Sequence, residues 1–267
     1  MRTEIITSAQ NPKIKKLVAL MEKSRERRET GLFAVEGKRE LLHCLNAGFM
    51  PHTVFICPDI LSGKDTEEII SGCGCPVMEV PRHLYEKIAY RGSTEGVIAE
   101  LYCKPNSLED LKLKANPLLI VLESVEKPGN LGAVLRSADA SRADAVIICD
   151  PLTDLYNPNL IRSSIGASFT VPTVAVTSEE AIGWLKEKGI KIYTAQLQDS
   201  KWYYDTDMTG GTAIVMGTES TGLTDIWRKA ADAHIKIPML GRLDSLNVSV
   251  SAAILLFEAV RQRNAGK

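Results

Sequence analysis

Long apolar runs are missing from this sequence. The longest wholly apolar stretches, such as Ala252 to Phe257, are far too short to cross a bilayer, and Met1 to Asn11 has no apolar core of the kind a secretory leader needs. A soluble, cytoplasmic protein with no membrane partner is expected. Closely spaced cysteines are scarce too. Six cysteines (Cys44, Cys57, Cys73, Cys75, Cys103, Cys149) are spread over 267 residues, and the one close pair, Cys73-Gly74-Cys75, lacks the CxxC spacing of structural zinc sites. A zinc site would have to recruit His43, His52 or His83, so buried thiols and no metal are expected. There is no excess of charge of one sign either. The formal net charge of -1 argues against indiscriminate binding to phosphate backbones.

What is present is a chain with 45% hydrophobic residues, enough for one large core or two modest ones. Charge is uneven along it: residues 1–40 hold ten Lys and Arg against six Glu, which suits either a partner with phosphates or a solvated helix face. Asn11-Pro12 reads as an N-cap with proline at the first helical position, and Ile14, Leu17, Val18 and Met21 recur at helical spacing, which predicts one helix through Arg28. Strands and helices then alternate up to Tyr102, the pattern of an α/β layer. Pro105, Asn106, Ser107 and mixed charge break it, so residues 1–104 are read as one domain, 105–117 as a linker and 118–267 as a second domain. The second opens with Leu118 to Val125, an apolar run suited to a strand buried on both faces. Further strands are predicted at 145–149, 171–176, 191–197, 212–217 and 234–238, with helices at 159–168, 179–188, 224–231 and 248–263, giving a mostly parallel sheet.

Open parallel sheets bind ligands outside the carboxyl ends of their strands. Three of the loops there are distinctive. In Glu123 to Gly132, Gly129 and Gly132 permit close backbone approach, and Arg136 follows one turn later on the same side of the helix, either as an anion ligand or as a surface residue. In Met216-Gly217-Thr218-Glu219-Ser220-Thr221-Gly222-Leu223, Glu219 stands between two glycines, as a functional carboxylate or as a partner for the dipole of the next helix. In Ile237 to Ser251, Ser245, Asn247, Ser249 and Ser251 exceed what one N-cap needs, although Ser245 or Asn247 would make a good one.

The segments N130-L-G-A-V-L-R136, M216-G-T-E-S-T-G-L223 and I237-P-M-L-G-R-L-D-S-L-N-V-S-V250 resemble, in order, the three signature motifs of the SpoU (TrmH-like) RNA 2′-O-ribose methyltransferases of the SPOUT superfamily. Residues 157–169 resemble the family's middle segment, and Phe33 to Arg39 is similar, more loosely, to its N-terminal substrate-binding domain. The resemblance implies an α/β fold whose C-terminal methyltransferase domain is tied in a trefoil knot, preceded by a smaller L30e-like α/β domain. It implies S-adenosyl-L-methionine as cofactor, a homodimer, and methylation of a ribose 2′-hydroxyl. Carried over by position, Arg136, Glu219, Ser245, Asn247 and Asn130 are the catalytic group, and Thr194, Gly217, Ile237, Met239 and Leu246 line the cofactor. Arg162, Lys38, Arg39 and Lys13 are assigned to RNA. The family's arginine is often taken as the base for the 2′-hydroxyl proton. A guanidinium is a poor proton acceptor, so stabilising the developing alkoxide or orienting a phosphate is the physically easier role.

The extra N-terminal domain favours ribosomal over transfer RNA as substrate. Two other readings stand beside this one: a non-catalytic RNA-binding protein that keeps the knotted domain, and an enzyme using another nucleotide cofactor on an ordinary parallel sheet. The absence of a G-x-G-x-x-G opening weighs against the last.

Overall fold

The computed structural model describes residues 3–90, 95–218 and 220–265. It divides into two compact units, one made of Met1–Pro105 with Tyr156–Arg162, the other of Asn106–Leu155 with Ser163–Lys267.

The first unit runs β1 (Glu4–Ile5), α1 (Pro12–Glu22), α2 (Ser24–Thr30), β2 (Leu32–Glu36), α3 (Lys38–Asn46), β3 (Pro51–Ile56), α4 (Gly63–Cys73), β4 (Val77–Glu79), α5 (Arg82–Ile88) and β5 (Val97–Tyr102). Asn11 caps α1 through its side-chain oxygen, which accepts from the Lys13 N–H at 2.9 Å. The single helix expected through Arg28 is in fact two. Lys23 adopts an extended conformation, and Arg27 in α2 turns its guanidinium back onto the carbonyls of Leu20 and Met21 at the end of α1. Those carbonyls are the orphan acceptors of a helix terminus, so the break is self-satisfying. The sheet order is β1-β4-β3-β5-β2, parallel from β1 to β3, with β5 antiparallel to both of its neighbours. Its core packs Ile14, Leu17 and Leu20 of α1 against Phe55, Ile98 and Tyr85.

The second unit contains β6 (Leu118–Glu123), α6 (Pro128–Ala140), β7 (Ala145–Cys149), the end of α7 (Pro158–Ser164), α8 (Ala167–Thr170), β8 (Thr173–Val176), α9 (Ser178–Glu187), β9 (Lys191–Ala195), β10 (Lys201–Trp202), β11 (Thr212–Met216), α10 (Asp225–Ala230), β12 (Ala233–Lys236) and α11 (Val248–Asn264). All adjacent strands in the order β10-β12-β9-β11-β6-β7-β8 are parallel. Every residue of β6, β7 and β11 is buried, as a sheet covered on both faces requires. Within the stretch 105–117, expected as a linker, Leu108 is buried in the core of this unit and Leu111 and Leu113 pack against it. The helix expected over 159–168 is divided by Ile165 and Gly166, both at positive φ (54° and 89°). After β12, near one edge of the sheet, the chain returns to α11, which packs on α6, β6 and β11 near its middle.

Candidate active site

The carboxyl ends of β9, β11 and β12 lie side by side, and the segments that follow them enclose a cavity of about 360 Å³. The turn after β11 supplies Gly217, Thr218 and Thr221, and the segment after β12 supplies Ile237, Met239, Ser245 and Leu246. Ser251 and Leu255 of α11 close it from behind.

The β11 turn is folded tightly on itself. Thr218 and Gly222 exchange backbone hydrogen bonds of 3.3 and 3.1 Å, and the Thr218 hydroxyl accepts the Thr221 N–H at 3.0 Å. A Cβ at Gly217 would lie 2.2 Å from the Gly222 carbonyl oxygen, so no side chain fits there. Gly222 has φ +67°, the left-handed region that glycine enters freely. The motif's glycines are thus required by the turn's own closure.

Asn247 is the N-cap of α11, its Oδ1 accepting the Ser249 N–H at 3.0 Å and the Ser249 hydroxyl at 2.6 Å. The same side chain donates from Nδ2 to Asn130 Oδ1 at 3.1 Å, across 117 positions of sequence. This bond ties the third motif to the first turn of α6, the helix that carries Arg136. Two of the three motifs therefore share one cavity, and the third is fastened to them.

Of the residues expected at the cofactor, Gly217, Ile237, Met239 and Leu246 line the cavity, as does Ser245 from the catalytic group. Thr194 does not. It is buried inside β9, where its hydroxyl meets His234 Nδ1 at 2.6 Å, in contact across the β9–β12 pair. Arg136 is exposed on α6 and makes no ion pair among the described residues, and it is not part of the cavity wall. Glu219 lies outside the described residues. Of the residues assigned to RNA, Lys13 pairs with Glu4, Lys38 with Asp65 and Glu68, and Arg39 with Glu40, whereas Arg162 is exposed with no ion pair among the described residues. Cys44, Cys57, Cys73, Cys75 and Cys149 are buried thiols.

The sequence reading missed Gln196, Leu197 and Gln198, which form one wall of the cavity, because it carried the strand through Leu197; β9 ends at Ala195. The signal that could have found them is the rule applied to the other loops, that ligands gather beyond strand ends. It also missed Arg228 of α10. Gln196 Oε1 and Arg228 Nε, both on wall residues, are buried and have no hydrogen-bond partner among the described residues. The cavity also falls within the usual volume of small-molecule sites, about 300–1,000 Å³, and mixes apolar walls with backbone groups and hydroxyls.

The sequence profile of the SpoU rRNA Methylase family matches residues 117–257, more than half of the chain. This chain belongs to the SpoU rRNA methylase family. Residues 11–99 match the MRM3-like substrate binding domain. Over 227 residues the SpoU chain is 36% identical to the 23S rRNA (guanosine-2′-O-)-methyltransferase RlmB of Vibrio vulnificus, covering 80% of this chain and 91% of that relative. It is 28% identical over 252 residues to the 23S rRNA (guanosine(2553)-2′-O)-methyltransferase RlmP of Bacillus subtilis, covering 94% and 97%. The crystal structure of the SpoU methyltransferase AviRb from Streptomyces viridochromogenes in complex with AdoMet superimposes with a TM-score of 0.90 over 97% of the SpoU chain and 100% of that chain, at 27% identity. The α/β architecture with a mostly parallel sheet and a preceding smaller domain is therefore that of SpoU methyltransferases.

Proposed function

We propose that the protein is a cytoplasmic S-adenosyl-L-methionine-dependent methyltransferase that modifies a ribose 2′-hydroxyl of 23S-type ribosomal RNA. The observation that carries this reading is the shared cavity of the second and third motifs, tied by the Asn247–Asn130 bond to the helix of Arg136. The relatives named above, which act on 23S rRNA, support the choice of ribosomal over transfer RNA.

The cavity fits the cofactor by size, by its apolar walls and by the unpartnered Gln196 and Arg228 atoms. Gly217, Ile237, Met239 and Leu246 would hold it. When bound, it supplies a methyl group already activated by its sulfonium. What is left to the protein is to aim the ribose oxygen in line with that methyl and to stabilise the charge the oxygen acquires. Arg136 is assigned the second task, as a fixed cation for the developing alkoxide or an RNA phosphate. Asn130, Ser245 and Asn247, together with Glu219, orient the loops and the ribose. Arg162, Lys13, Lys38 and Arg39 contribute to RNA binding, Arg162 most readily because the other three are engaged with carboxylates.

The protein acts as a homodimer. Support comes from apolar side chains that the single chain leaves in solvent, Leu240 and Leu243 in the third motif and Val250 and Phe257 on α11. The trefoil knot belongs to the same reading, supported by the return of the chain from β12 to α11.

The test has two parts. Calorimetry should detect S-adenosyl-L-methionine binding, and mapping of 2′-O-methyl sites in ribosomal RNA from cells with and without the gene should reveal one missing site. Arg136→Ala should lower methyl transfer by about 10²–10³-fold or more while cofactor affinity stays within experimental error. Cofactor binding without any methylated position would point instead to a non-catalytic RNA-binding protein.

A further inference from the structure

Glu123 ends β6 and is 3% exposed, yet among the described residues no Lys, Arg or His pairs with it. A buried carboxylate without a cation is unfavourable unless hydrogen bonds replace its water. Here they do. Thr224 donates twice, from its N–H to Oε2 at 2.9 Å and from its hydroxyl to Oε1 at 2.5 Å. Ser178 Oγ lies 3.5 Å from Glu123 Oε1 and, closer, 2.6 Å from Asp150 Oδ2, and it accepts from Trp227 Nε1 at 2.9 Å.

Thr224 holds the N-cap position of α10, where a threonine ordinarily turns its oxygen onto the helix's own N–H groups. It makes no such bond. Its hydroxyl and its backbone N–H are both given to Glu123 instead. Thr224 is also the residue immediately after the turn 217–223. The other end of that turn leaves β11 at Met216, which is in register with Leu122 of β6, the residue before Glu123. Both ends of the cavity's tightest wall are therefore referred to the last two residues of one strand: one by sheet pairing, the other by a carboxylate. The same strand leads into α6, with Asn130 and Arg136.

We propose that Glu123 is a positioning residue for the methyl-transfer site: it touches neither cofactor nor RNA, and it holds the 217–224 turn at a fixed distance from β6, so that the cofactor wall and the Arg136 helix share one reference. This rests on the reading of the cavity as the cofactor site. In the 267-residue protein, Glu123→Leu keeps most of the volume but removes both acceptors. Thr224→Val, at an exposed position, removes only the hydroxyl.

Either change is expected to raise the dissociation constant for S-adenosyl-L-methionine by about tenfold or more, while kcat at saturating cofactor stays within about threefold of wild type. Amide hydrogen exchange should quicken in 217–224 and stay unchanged in β7 and α9. The double variant should be no worse than the Glu123 variant alone, because the bond lost in Thr224→Val is one of the two already lost there. Unchanged cofactor affinity with unchanged exchange overturns the proposal. So does faster exchange throughout the unit, which marks a merely structural residue. If wild type binds no cofactor, the functional reading falls, and the exchange pattern still decides whether Glu123 fixes the turn.

Discussion

Glu100 is the clearest case of a single residue whose burial has a measurable consequence. It sits inside β5, 2% exposed, and burial pushes its carboxyl up to about 7, with Lys16, 3.9 Å away, opposing the rise. His52 meets it at 3.0 Å and is pushed down, by burial first and by Lys16 second. Both partners are driven toward their uncharged forms, so near neutral pH the contact is closer to a hydrogen bond than to an ion pair. The folded protein holds the proton more tightly than the unfolded chain, whose glutamate titrates near 4.5. Stability from this site is therefore complete below pH 4.5 and is lost as pH rises to about 7, a loss of about 3 kcal/mol by linkage. Glu100→Gln removes the slope: urea unfolding should find it about as stable as wild type at pH 4.5 and about 2–3 kcal/mol more stable at pH 8. Equal stability differences at the two pH values would refute this. Residue identity was legible for the candidate site as well, but contact was not. Asn130 and Asn247 are visible in sequence as polar positions in two motifs, while the bond between them spans 117 residues and depends on how the sheet is ordered. Thr194 is assigned to the cofactor by resemblance, but it lies within the paired part of β9, where its hydroxyl meets His234 instead.

Among the elements, α6 makes a testable exception to a general rule. Replacing a helical glycine by alanine usually stabilises, by roughly 0.5–1 kcal/mol. Gly132 is in the first half of α6, and a Cβ there would lie 2.0 Å from the Ser163 hydroxyl oxygen and 2.8 Å from the Ser163 carbonyl carbon. The hydroxyl could rotate away, but the backbone atom cannot, so Gly132→Ala should destabilise by about 1–3 kcal/mol, as overpacking does, and lower the melting temperature. Gly129, on the same turn, has nothing within 4 Å of such a Cβ, so Gly129→Ala is the matched control and should be neutral to stabilising, by up to about 1 kcal/mol. The difference also explains what could be read without coordinates. Apolar runs such as Leu118 to Val125 and capping signals such as Asn11-Pro12 are local, and they placed most strands and helices within a residue or two. The breaks at Lys23 and at Ile165-Gly166 were not legible, because nothing local marks a lysine that turns extended or an isoleucine held at positive φ. β1 and β10, two residues each, exist only through pairing with β4 and β12 and carry no pattern of their own.

For the whole molecule, the sequence implied alternating strands and helices but not the order β10-β12-β9-β11-β6-β7-β8, since order is fixed by packing between elements far apart in the chain. The surface that this order leaves exposed sets the last expectation. Val250 and Phe257 are two turns apart on α11 and so share a face, and both are about half exposed, while Leu240 and Leu243 are 97% and 76% exposed. Isolated apolar residues on a surface need no explanation, but a helix stripe together with two bare leucines is the composition of a covered face. A second copy of the chain would bury these residues in a two-fold contact, each subunit giving the same patch. Sedimentation should accordingly give twice the chain mass, falling to the single mass on dilution or in Phe257→Glu, whose circular dichroism should match wild type because the side chain lies outside the core. Leu243→Glu serves as the second probe of the same face. A wild-type protein that sediments as one chain at all concentrations would refute the homodimer, and a dimer that survives both charges would place its contact on another surface.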